Sequence, residues 1–389
     1  MSYRLGILTS HPIQYQAPLF RELARQCDLK VFFAHRQTAV EQSKAGFNVD
    51  FEWDVDLLGG YDYQFLKNRA RQPDVSRFSG CDTPGVADVI RKGTFDAFLV
   101  TGWYLKSYWQ AIRACHKNAV PIMVRGDSQL GSPRSSIKQW LKEILYPLLL
   151  RKFDACLYVG QRNREYLEHY GVPPEKLFFS PHCVDNDWFQ SRSKKLIQKE
   201  FRENFGIATD AKSVLFAGKL LERKRPMDMV KALQILLNRG HDVCGIFVGD
   251  GSLRSAIEEY GKKNDVPLYF LGFQNQSKLP EVYANSECLL LPSEGSETWG
   301  LVVNEALACD TPVVVSDAVG CAPNLVASRS TGEIYPVGDV ESLADSLERV
   351  LKDKNEYSGI KEKIELYSIE AAVTGIVEAV STLKSRRCR

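Results

Sequence analysis

Two glutamates separated by seven residues are the most informative chemical feature of the sequence. Glu297 and Glu305 lie in SETWGLVVNEALACDTPVV, on either side of Gly300, where the pattern predicts that a helix begins after the apolar strand ECLLLPS. The first N–H groups of a helix have no partner within the helix and readily bind anions. The amides after Trp299 could therefore hold phosphate oxygens, while the two carboxylates could accept hydrogen bonds from sugar hydroxyls. The segment predicts a site for a ligand that carries both phosphate and sugar groups.

Two lysines could supply the positive charge that such a ligand requires. The segment FAGKLLERKRP places Lys219 at the end of a predicted strand and Lys224 five residues later, where both can reach a diphosphate. Without cations nearby, two carboxylates would repel a bound phosphate. Taken singly, each feature also has an ordinary explanation, because this glutamate spacing is common by chance and neighbouring lysines usually mark a solvated loop. The prediction depends on their combination.

Short apolar runs alternate with longer helical patterns along almost the whole chain, which is typical of β-α-β units on a parallel sheet. The predicted strands are LGILTS, LKVFFA, FDAFLVTG, PIMVRG, DACLYVG and KLFFS in the first half, then SVLFAG, DVCGIFVGD, PLYFLG, ECLLLPS and TPVVVSD in the second. We predict two doubly wound α/β domains, 1–182 and 183–366, and a last helix within 367–389 that packs back on the first domain or caps the second. Ligands of such sheets bind beyond the carboxyl ends of the strands, here in the cleft between the domains.

Taken in order, the motifs of the second half resemble the retaining glycosyltransferases of family 4. The resemblance rests on FAGKLLERKRP, VGDGSLR, LGF, LPEVYANSECLLLPS and SETWGLVVNEALACDTPVVVSDAVG, and it covers Val214 to about Pro336. It implies the GT-B fold, with two Rossmann-like domains and a cleft between them. It also implies that the protein transfers a sugar from a nucleotide diphosphate sugar to an acceptor hydroxyl and retains the anomeric configuration. The implied pathway is the biosynthesis of a cell-surface polysaccharide or glycolipid. UDP is the favoured nucleotide from its prevalence in the family, and neither a cofactor nor a metal is expected.

The resemblance implies roles for individual residues. Lys219 and Lys224 would neutralise the donor diphosphate and Glu297 would bind the donor sugar, which makes these three the catalytic candidates. Glu305 would bind the ribose of the nucleotide. The other donor-side candidates are Gly249, Asp250, Gly251, Gly272, Phe273, Gly300, Leu301 and Val302.

Three positions depart from the pattern of the family. Lys219 stands where arginine is usual, and it keeps the charge but lacks the bidentate fork of a guanidinium. Asp310 stands where glycine is usual, and Asn324 where an acid is usual. None of the three removes the predicted phosphate site, so their effect would fall on donor recognition.

The N-terminal half contributes candidates for the acceptor side. His11 and Pro12 follow the first predicted strand and so face the cleft. Many family members have a Gly-Gly loop here, whereas this chain resembles a subset with His-Pro-Ile-Gln-Tyr. A His-Pro turn before a helix is also ordinary structure. After the strand PIMVRG, Arg125 and Asp127 occupy the stretch in which the family often places a histidine. His11, Arg125 and Asp127 are therefore the acceptor-side candidates.

The composition and net charge limit the kinds of molecule that the protein can bind and the compartment in which it works. The 389 residues contain 50 Lys and Arg against 48 Asp and Glu, and a net charge of +2 excludes a nucleic-acid binder that relies on bulk charge. The charge is uneven, with +6 over residues 1–182 and −4 over residues 183–389, which slightly favours a lipid-linked or phosphorylated saccharide acceptor. Ten cysteines without any C-x-x-C favour a reducing compartment. We expect a cytoplasmic protein, peripheral at the inner face of the membrane at most.

Residues 34–82 do not fit the alternation of strands and helices. Within them, the apolar positions of VDFEWDVDL alternate with polar ones, which predicts a strand that turns at Gly59–Gly60. A long irregular segment in a compact domain usually has a function. The segment is therefore a candidate for one wall of the site that binds the variable substrate.

The segment Ser135–Lys152 predicts an amphipathic helix with a broad apolar side and mostly basic charges. Packing of this side on the sheet is the favoured interpretation, and contact with an anionic membrane is the alternative. The apolar side comprises Ile137, Trp140, Leu141, Ile144, Leu145 and Leu148.

Two other functions remain open. One is a nucleotide-sugar-binding relative without turnover. The other, ranked lower, is an NAD-dependent oxidoreductase, because no full G-x-G-x-x-G follows any predicted strand. The triplet Asp185-Asn186-Asp187 resembles the D-x-D metal motif of a different glycosyltransferase fold, but its place directly after HCV favours an interdomain linker.

Overall fold

The computed structural model describes residues 3–38, 52–131, 136–193, 198–207, 211–353 and 356–387. Within these residues, the first half forms a parallel sheet. Its strands are β1 (Arg4–Thr9), β2 (Asp28–Phe33), β3 (Asp62–Phe65), β4 (Ala97–Val100), β5 (Ile122–Gly126), β6 (Ala155–Tyr158) and β7 (Leu177–Phe179). Their order across the sheet is β3-β2-β1-β4-β5-β6-β7.

The second half forms a separate parallel sheet. Its strands are β8 (Lys212–Ala217), β9 (Val243–Val248), β10 (Leu268–Gly272), β11 (Cys288–Leu291), β12 (Val313–Ser316) and β13 (Gly332–Tyr335). Their order is β10-β9-β8-β11-β12-β13. The two doubly wound parallel sheets confirm the predicted α/β GT-B fold.

Helices connect the strands in both halves. Those of the first half are α1 (Ala17–Gln26), α2 (Val86–Lys92), α3 (Lys106–Lys117), α4 (Ser136–Leu150) and α5 (Gln161–His169). Those that follow are α6 (Asn186–Arg192), α7 (Gln198–Asn204), α8 (Pro226–Asn238), α9 (Arg254–Lys263), α10 (Leu279–Ala284), α11 (Leu301–Ala308), α12 (Val340–Lys352), α13 (Ile360–Leu366) and α14 (Ile369–Arg387).

Apart from its edge strands, the first sheet is buried on both faces, which explains why its inner strands are mostly apolar runs. In β1, Leu5 and Ile7 enter one hydrophobic core, whereas Leu8 enters another on the opposite face. The last helix, α14, packs in the same core as Leu5, through side chains that include Val373 and Ile376. By length and hydropathy, the segment Ile360–Arg387 could cross a membrane, but these contacts make α14 a core helix of the first domain.

Each sheet has one point at which the chain reverses the direction of strand addition. In the first sheet this point lies between β1 and β4, and in the second between β8 and β11. Loops after the strands on either side of such a point diverge and leave a crevice at the carboxyl ends. His11 follows β1, Lys219 and Lys224 follow β8, and the candidates from Glu297 to Glu305 follow β11. The remaining candidates lie at the ends of neighbouring strands: Arg125 and Asp127 at β5, Gly249, Asp250 and Gly251 at β9, and Gly272 and Phe273 at β10.

The structure differs from the sequence predictions in three places. The strands β3 and β13 were not predicted. The strand expected through Leu57 is absent over residues 52–58, which form a loop, while Val49 and Phe51 lie outside the described residues. The prediction that the broad apolar side of α4 packs on the sheet is wrong for its described members, since Trp140, Leu145 and their neighbours on that side are exposed. The side chain of Ile137 lies outside the described part.

Candidate active site

The predicted donor-side residues gather where β8 and β11 end. Lys219 follows β8 by two residues, and Lys224 ends the short 3-10 turn Glu222–Lys224. Burial lowers the pKa of Lys219, and the nearby charges of Arg223 and Lys224 lower it further. A bound diphosphate would relieve this repulsion because it would place negative charge among the three cations.

Lys224 and Glu297 are in direct contact. The Lys224 ammonium is ion-paired with the Glu297 carboxylate, and the two side chains are 16% and 15% exposed. The backbone of Glu297 is fixed, because its amide donates to the carbonyl of Glu294 and its carbonyl accepts from the amide of Gly320, each at 3.0 Å. The loops after β8 and β11 therefore present a cation and a carboxylate side by side.

Gly300 sets the direction of α11. Its φ of 98° is in the left-handed region, and a Cβ here would lie 2.6 Å from the Leu291 side chain, so only glycine fits without adjustment. Val303 makes the first backbone bond of the helix, to the carbonyl of Gly300 at 2.9 Å. The amides of Leu301 and Val302 precede that bond and belong to the helix end that favours anions.

Glu305 lies in α11 with a buried side chain. Its Oε2 accepts a hydrogen bond from the Tyr283 hydroxyl at 2.7 Å. Burial raises the pKa of Glu305 to about 7, although hydrogen bonds from Tyr283 and Gln276 act in the opposite direction. The carboxyl group predicted to bind ribose is thus held against α10, and it sits near its titration point at neutral pH.

Close backbone packing joins the loops that follow β8, β9 and β10. The amide of Gly249 donates to the carbonyl of Gly272 at 2.7 Å. Gly249 has a φ of 110°, and a Cβ there would collide with the carbonyl oxygen of Gly218. The other predicted residues of these loops are Asp250, Gly251 and Phe273. These glycines permit the loops to approach each other beside the lysines.

A cavity of about 180 Å³ lies beyond β1, β4 and β5, on the acceptor side of the cleft. Arg125 and Asp127 line it, together with Tyr104 and Tyr108. His11 is next to the cavity rather than in its lining, with Nδ1 3.0 Å from the Ser10 hydroxyl. The structure therefore brings two of the three acceptor-side candidates to one cavity and leaves the third at its edge.

Arg125 and Asp127 make different contacts. The Arg125 guanidinium donates to the Ser180 hydroxyl at 3.1 Å and to the Pro181 carbonyl at 2.7 Å, so it anchors the start of the linker. Asp127 accepts a hydrogen bond from the Thr298 hydroxyl at 2.6 Å. Burial alone would raise the pKa of Asp127, but interactions with His182 and Thr298 outweigh it and lower that pKa. The cavity thus presents a carboxylate.

His182 belongs to the site, although it was not among the residues predicted for it. Its Nε2 is 3.9 Å from Asp127 Oδ2, and its ring contacts those of Trp299 and Tyr15 at centroid distances of 5.6 and 5.9 Å. Burial lowers the pKa of His182, with partial opposition from Asp127. Its Nδ1 is buried without a hydrogen-bond partner among the described residues. The one available signal was its place just after β7, at the carboxyl edge of the sheet.

Side chains from the first domain cross the cleft to the loop that carries Glu297. Gln129 Nε2 donates to the carbonyl of Gly295 at 3.0 Å, beside the contact between Asp127 and Thr298. The cavity and the donor-side residues are therefore joined at the floor of one interdomain cleft.

Two departures from the family pattern have structural explanations. Asp310 follows α11 with a φ of 58°, a conformation that glycine adopts most easily and that aspartate tolerates. Asn324 bridges the domains, since its amide oxygen accepts from the Gln161 amide at 3.0 Å and its amide nitrogen donates to Tyr367 at 2.8 Å. Neither Asp310 nor Asn324 contacts Lys224 or Glu297 in these interactions.

The D-x-D triplet also has a structural role. Asp185 caps α6 by accepting a hydrogen bond from the Trp188 amide at 2.9 Å. Over the described residues, no group of three or more His, Cys, Asp or Glu side chains is arranged to hold a metal ion. The triplet thus begins a helix of the interdomain linker.

Comparison with known proteins matches residues 197–366 to the family model "Glycosyl transferases group 1". The chain is 35% identical over 295 residues to a D-inositol 3-phosphate glycosyltransferase of Mycolicibacterium smegmatis, covering 71% of this chain and 62% of the relative. It is 29% identical over 202 residues to the protein of that name from Corynebacterium aurimucosum, covering 50% of this chain and 47% of the relative. The chain spans about half the length of the curated relatives it matches.

Solved structures resemble the whole chain. Anabaena HepE in complex with UDP superposes with a TM-score of 0.73 at 16% identity, covering 97% of this chain and 100% of that one. The outer core galactosyltransferase WaaB of lipopolysaccharide superposes with a TM-score of 0.68 at 14% identity, covering 97% and 99%. At such identities the likeness concerns the fold alone. Residues 197–366 thus match the glycosyl transferases group 1 family model, within a chain that has the GT-B fold.

Proposed function

We propose that the protein is a glycosyltransferase that moves a sugar from a nucleotide diphosphate sugar to an acceptor hydroxyl with retention. The observation that carries the proposal is the Lys224–Glu297 pair at the start of α11, which is joined across the cleft to the cavity of Asp127. UDP is the proposed nucleotide, and the complex of Anabaena HepE with UDP supports that choice.

In this proposal, positive groups stabilise the departing diphosphate. Lys219 and Lys224 neutralise its oxygens, while the amides of Leu301 and Val302 donate to them at the N-terminus of α11. Groups already aimed at the charge that develops in a transition state need no reorganisation, so they lower the barrier. With two lysines and a helix terminus available, we propose that no metal ion is required. Turnover that is lost in EDTA and restored by magnesium would overturn this part of the proposal.

Glu297 then exchanges partners. Once the diphosphate has drawn the Lys224 ammonium away, the carboxylate is available to the hydroxyls of the donor sugar. The Glu305 carboxyl group moves away from the Tyr283 hydroxyl and binds the ribose of the nucleotide. Contacts such as Gln129–Gly295 close the floor of the cleft and help to exclude water, which would otherwise hydrolyse the donor.

The acceptor hydroxyl enters the cavity beside Asp127 and His182. The Asp127 carboxylate favours a hydroxylated group at the reacting end over an anionic one. The proposed acceptor is a saccharide of the cell surface, free or lipid-linked, and the proposed location is the cytoplasm at the inner face of the membrane.

Ligand binding followed by turnover tests this function. Calorimetric titration with UDP, GDP, ADP and NAD should give binding with UDP, and the affinity should fall by about tenfold or more in Lys224→Ala. Release of UDP from UDP-sugars in the presence of saccharide acceptors should then distinguish an enzyme from a relative without turnover. Binding of NAD alone would overturn the proposal, as would binding of UDP without turnover across the acceptors tested.

A further inference from the structure

Helix α4 carries an exposed apolar face. The side chains of Trp140, Leu141, Ile144, Leu145 and Leu148 are between 43% and 63% exposed, and they are five of the eleven large hydrophobic side chains exposed across the described residues. Because residues three and four apart share one side of a helix, the five form a single stripe about 12 Å long. We call this the α4 stripe. Contiguous exposed apolar surface of this kind usually marks an interaction site.

The opposite side of α4 is fixed to the first domain. The Lys142 ammonium is buried over the ring of Tyr166 of α5, 4.9 Å from its centroid. Glu143 contacts His169 Nε2 at 3.0 Å, and Leu150 is buried in the core. Since these contacts hold the helix by its inner side, the α4 stripe cannot turn inward without breaking them.

The charge around the α4 stripe is positive. Arg151 and Lys152 are exposed one turn beyond Leu148, and within the described residues neither forms an ion pair. The acidic residue of α4, Glu143, is already engaged by His169. An apolar stripe that ends in exposed cations complements a surface with an apolar interior and anionic headgroups.

Helix α4 packs against a loop that lines the proposed acceptor cavity. Trp103 packs edge-on against Tyr146 of α4, with centroids 6.1 Å apart, and it follows the same strand as the cavity residue Tyr104. Leu130, three residues after Asp127, is 43% exposed. Through Tyr146, the helix that carries the α4 stripe is therefore in contact with a loop that lines the cavity.

We propose that the α4 stripe docks the protein on an anionic lipid surface. Trp140 and the aliphatic side chains enter the boundary between headgroups and acyl chains, where tryptophan is favoured. Arg151 and Lys152 contact the anionic headgroups. Docking places the acceptor cavity beside the lipid, which makes the acceptor a lipid-linked saccharide; this last step rests on the proposed function.

Flotation of the full chain with vesicles tests the docking. Vesicles of phosphatidylcholine alone are compared with vesicles that contain about one third phosphatidylglycerol. We expect binding to the anionic vesicles, weaker binding to the neutral ones, and a decrease with added salt. The double variant Trp140→Glu/Leu145→Glu should lose about tenfold or more in affinity. Leu366→Glu, which changes a residue 60% exposed on α13, is the matched control and should bind as the wild type does.

Three results would overturn the inference. They are absence of vesicle binding by the wild type, undiminished binding by the double variant, and equal loss in the control. If light scattering instead finds a dimer that the double variant abolishes, without vesicle binding, the α4 stripe is an interface between copies. UDP titration separates this inference from the proposed function, since UDP binding without vesicle binding refutes docking alone, and the reverse refutes the donor site alone. Retained UDP affinity also shows that the double variant is folded.

Discussion

The ammonium of Lys224 and the carboxylate of Glu297 form an ion pair although the two residues lie 73 positions apart in the chain. Two loops, one after β8 and one after β11, bring them together at the reversal point of the second sheet. In the proposed mechanism the two groups separate when a donor binds, because Lys224 moves to the diphosphate and Glu297 to the sugar. Their substitution should therefore affect binding and turnover differently.

Lys224→Ala should reduce sugar transfer by about 100-fold or more, which corresponds to about 2.7 kcal/mol of barrier. The physical reason is the loss of a cation at the departing diphosphate. Steady-state assays of UDP release measure the effect. Lys231→Ala, which removes an exposed lysine from α8, is the control and should leave turnover unchanged. Near-normal turnover in a folded Lys224→Ala would remove this residue from the site.

Glu297→Gln should separate the effect on UDP binding from the effect on turnover. Transfer should fall by about 100-fold or more, while the dissociation constant for UDP should stay the same or decrease, because UDP lacks the donor sugar that Glu297 binds and because Glu297 repels its diphosphate. Titration with UDP and turnover of the UDP-sugar are measured on the same preparation. Weaker UDP binding in step with lost turnover would instead mean that Glu297 only positions Lys224.

Much of this arrangement follows from the sequence. Strands such as SVLFAG and DVCGIFVGD are buried on both faces, so they read as continuous apolar runs. Lys219 and Gly300 were predictable because each follows such a run at the carboxyl edge of a sheet. Edge strand β3 was missed because most of its side chains are solvent-exposed and its sequence DYQF is short and polar.

Other features depend on contacts between distant segments, which local patterns do not encode. The alternating residues around Trp53 suggested a strand, yet Asp54 bonds the Ser277 amide of the second domain at 3.2 Å, and Asp56 accepts from the Gly59 amide at 2.9 Å. His182 was missed for the same reason, since its partner Asp127 follows another strand, β5, and Trp299 lies in the other domain.

Glu305 should make stability depend on pH in a defined direction. Burial raises the pKa of Glu305 to about 7, whereas an unfolded chain has a glutamate pKa of about 4.3. Between these values the folded state holds a proton that the unfolded state has released, so the free energy of unfolding falls as the pH rises through this window. Glu305→Gln should remove this pH dependence, which over the whole window amounts to at most about 4 kcal/mol.

Urea denaturation of the wild type and Glu305→Gln at several values between about pH 5 and pH 8 measures the difference. The variant should gain stability relative to the wild type as the pH rises. Glu259→Gln, on the solvent-facing side of α9, should follow the wild type throughout. Parallel curves for the wild type and Glu305→Gln would contradict the raised pKa.

Gly249→Ala should destabilise the second domain and abolish donor binding, because the new Cβ adds a collision with the Gly218 carbonyl to the strain of a left-handed backbone. Gly240 provides a matched control, since its φ is 87° but no atom of the described residues lies within 4 Å of the place that a Cβ would occupy. Gly240→Ala should lose only the backbone contribution of about 1–2 kcal/mol. Thermal denaturation and UDP titration of both variants should separate the two effects, and equal losses would refute the steric argument.

Asp127→Asn should reduce transfer to the acceptor while leaving the affinity for the donor nucleotide unchanged. The amide keeps a hydrogen-bond acceptor for Thr298 but removes the negative charge that faces His182 and the cavity. Transfer should fall by about tenfold or more, while the dissociation constant for UDP stays within about twofold of the wild type. Gln129→Ala is the control, because it breaks another contact across the cleft, to Gly295, outside the lining of the cavity. If both variants lose transfer equally, Asp127 acts through closure of the domains, whereas a loss confined to Asp127→Asn assigns the carboxylate to the acceptor.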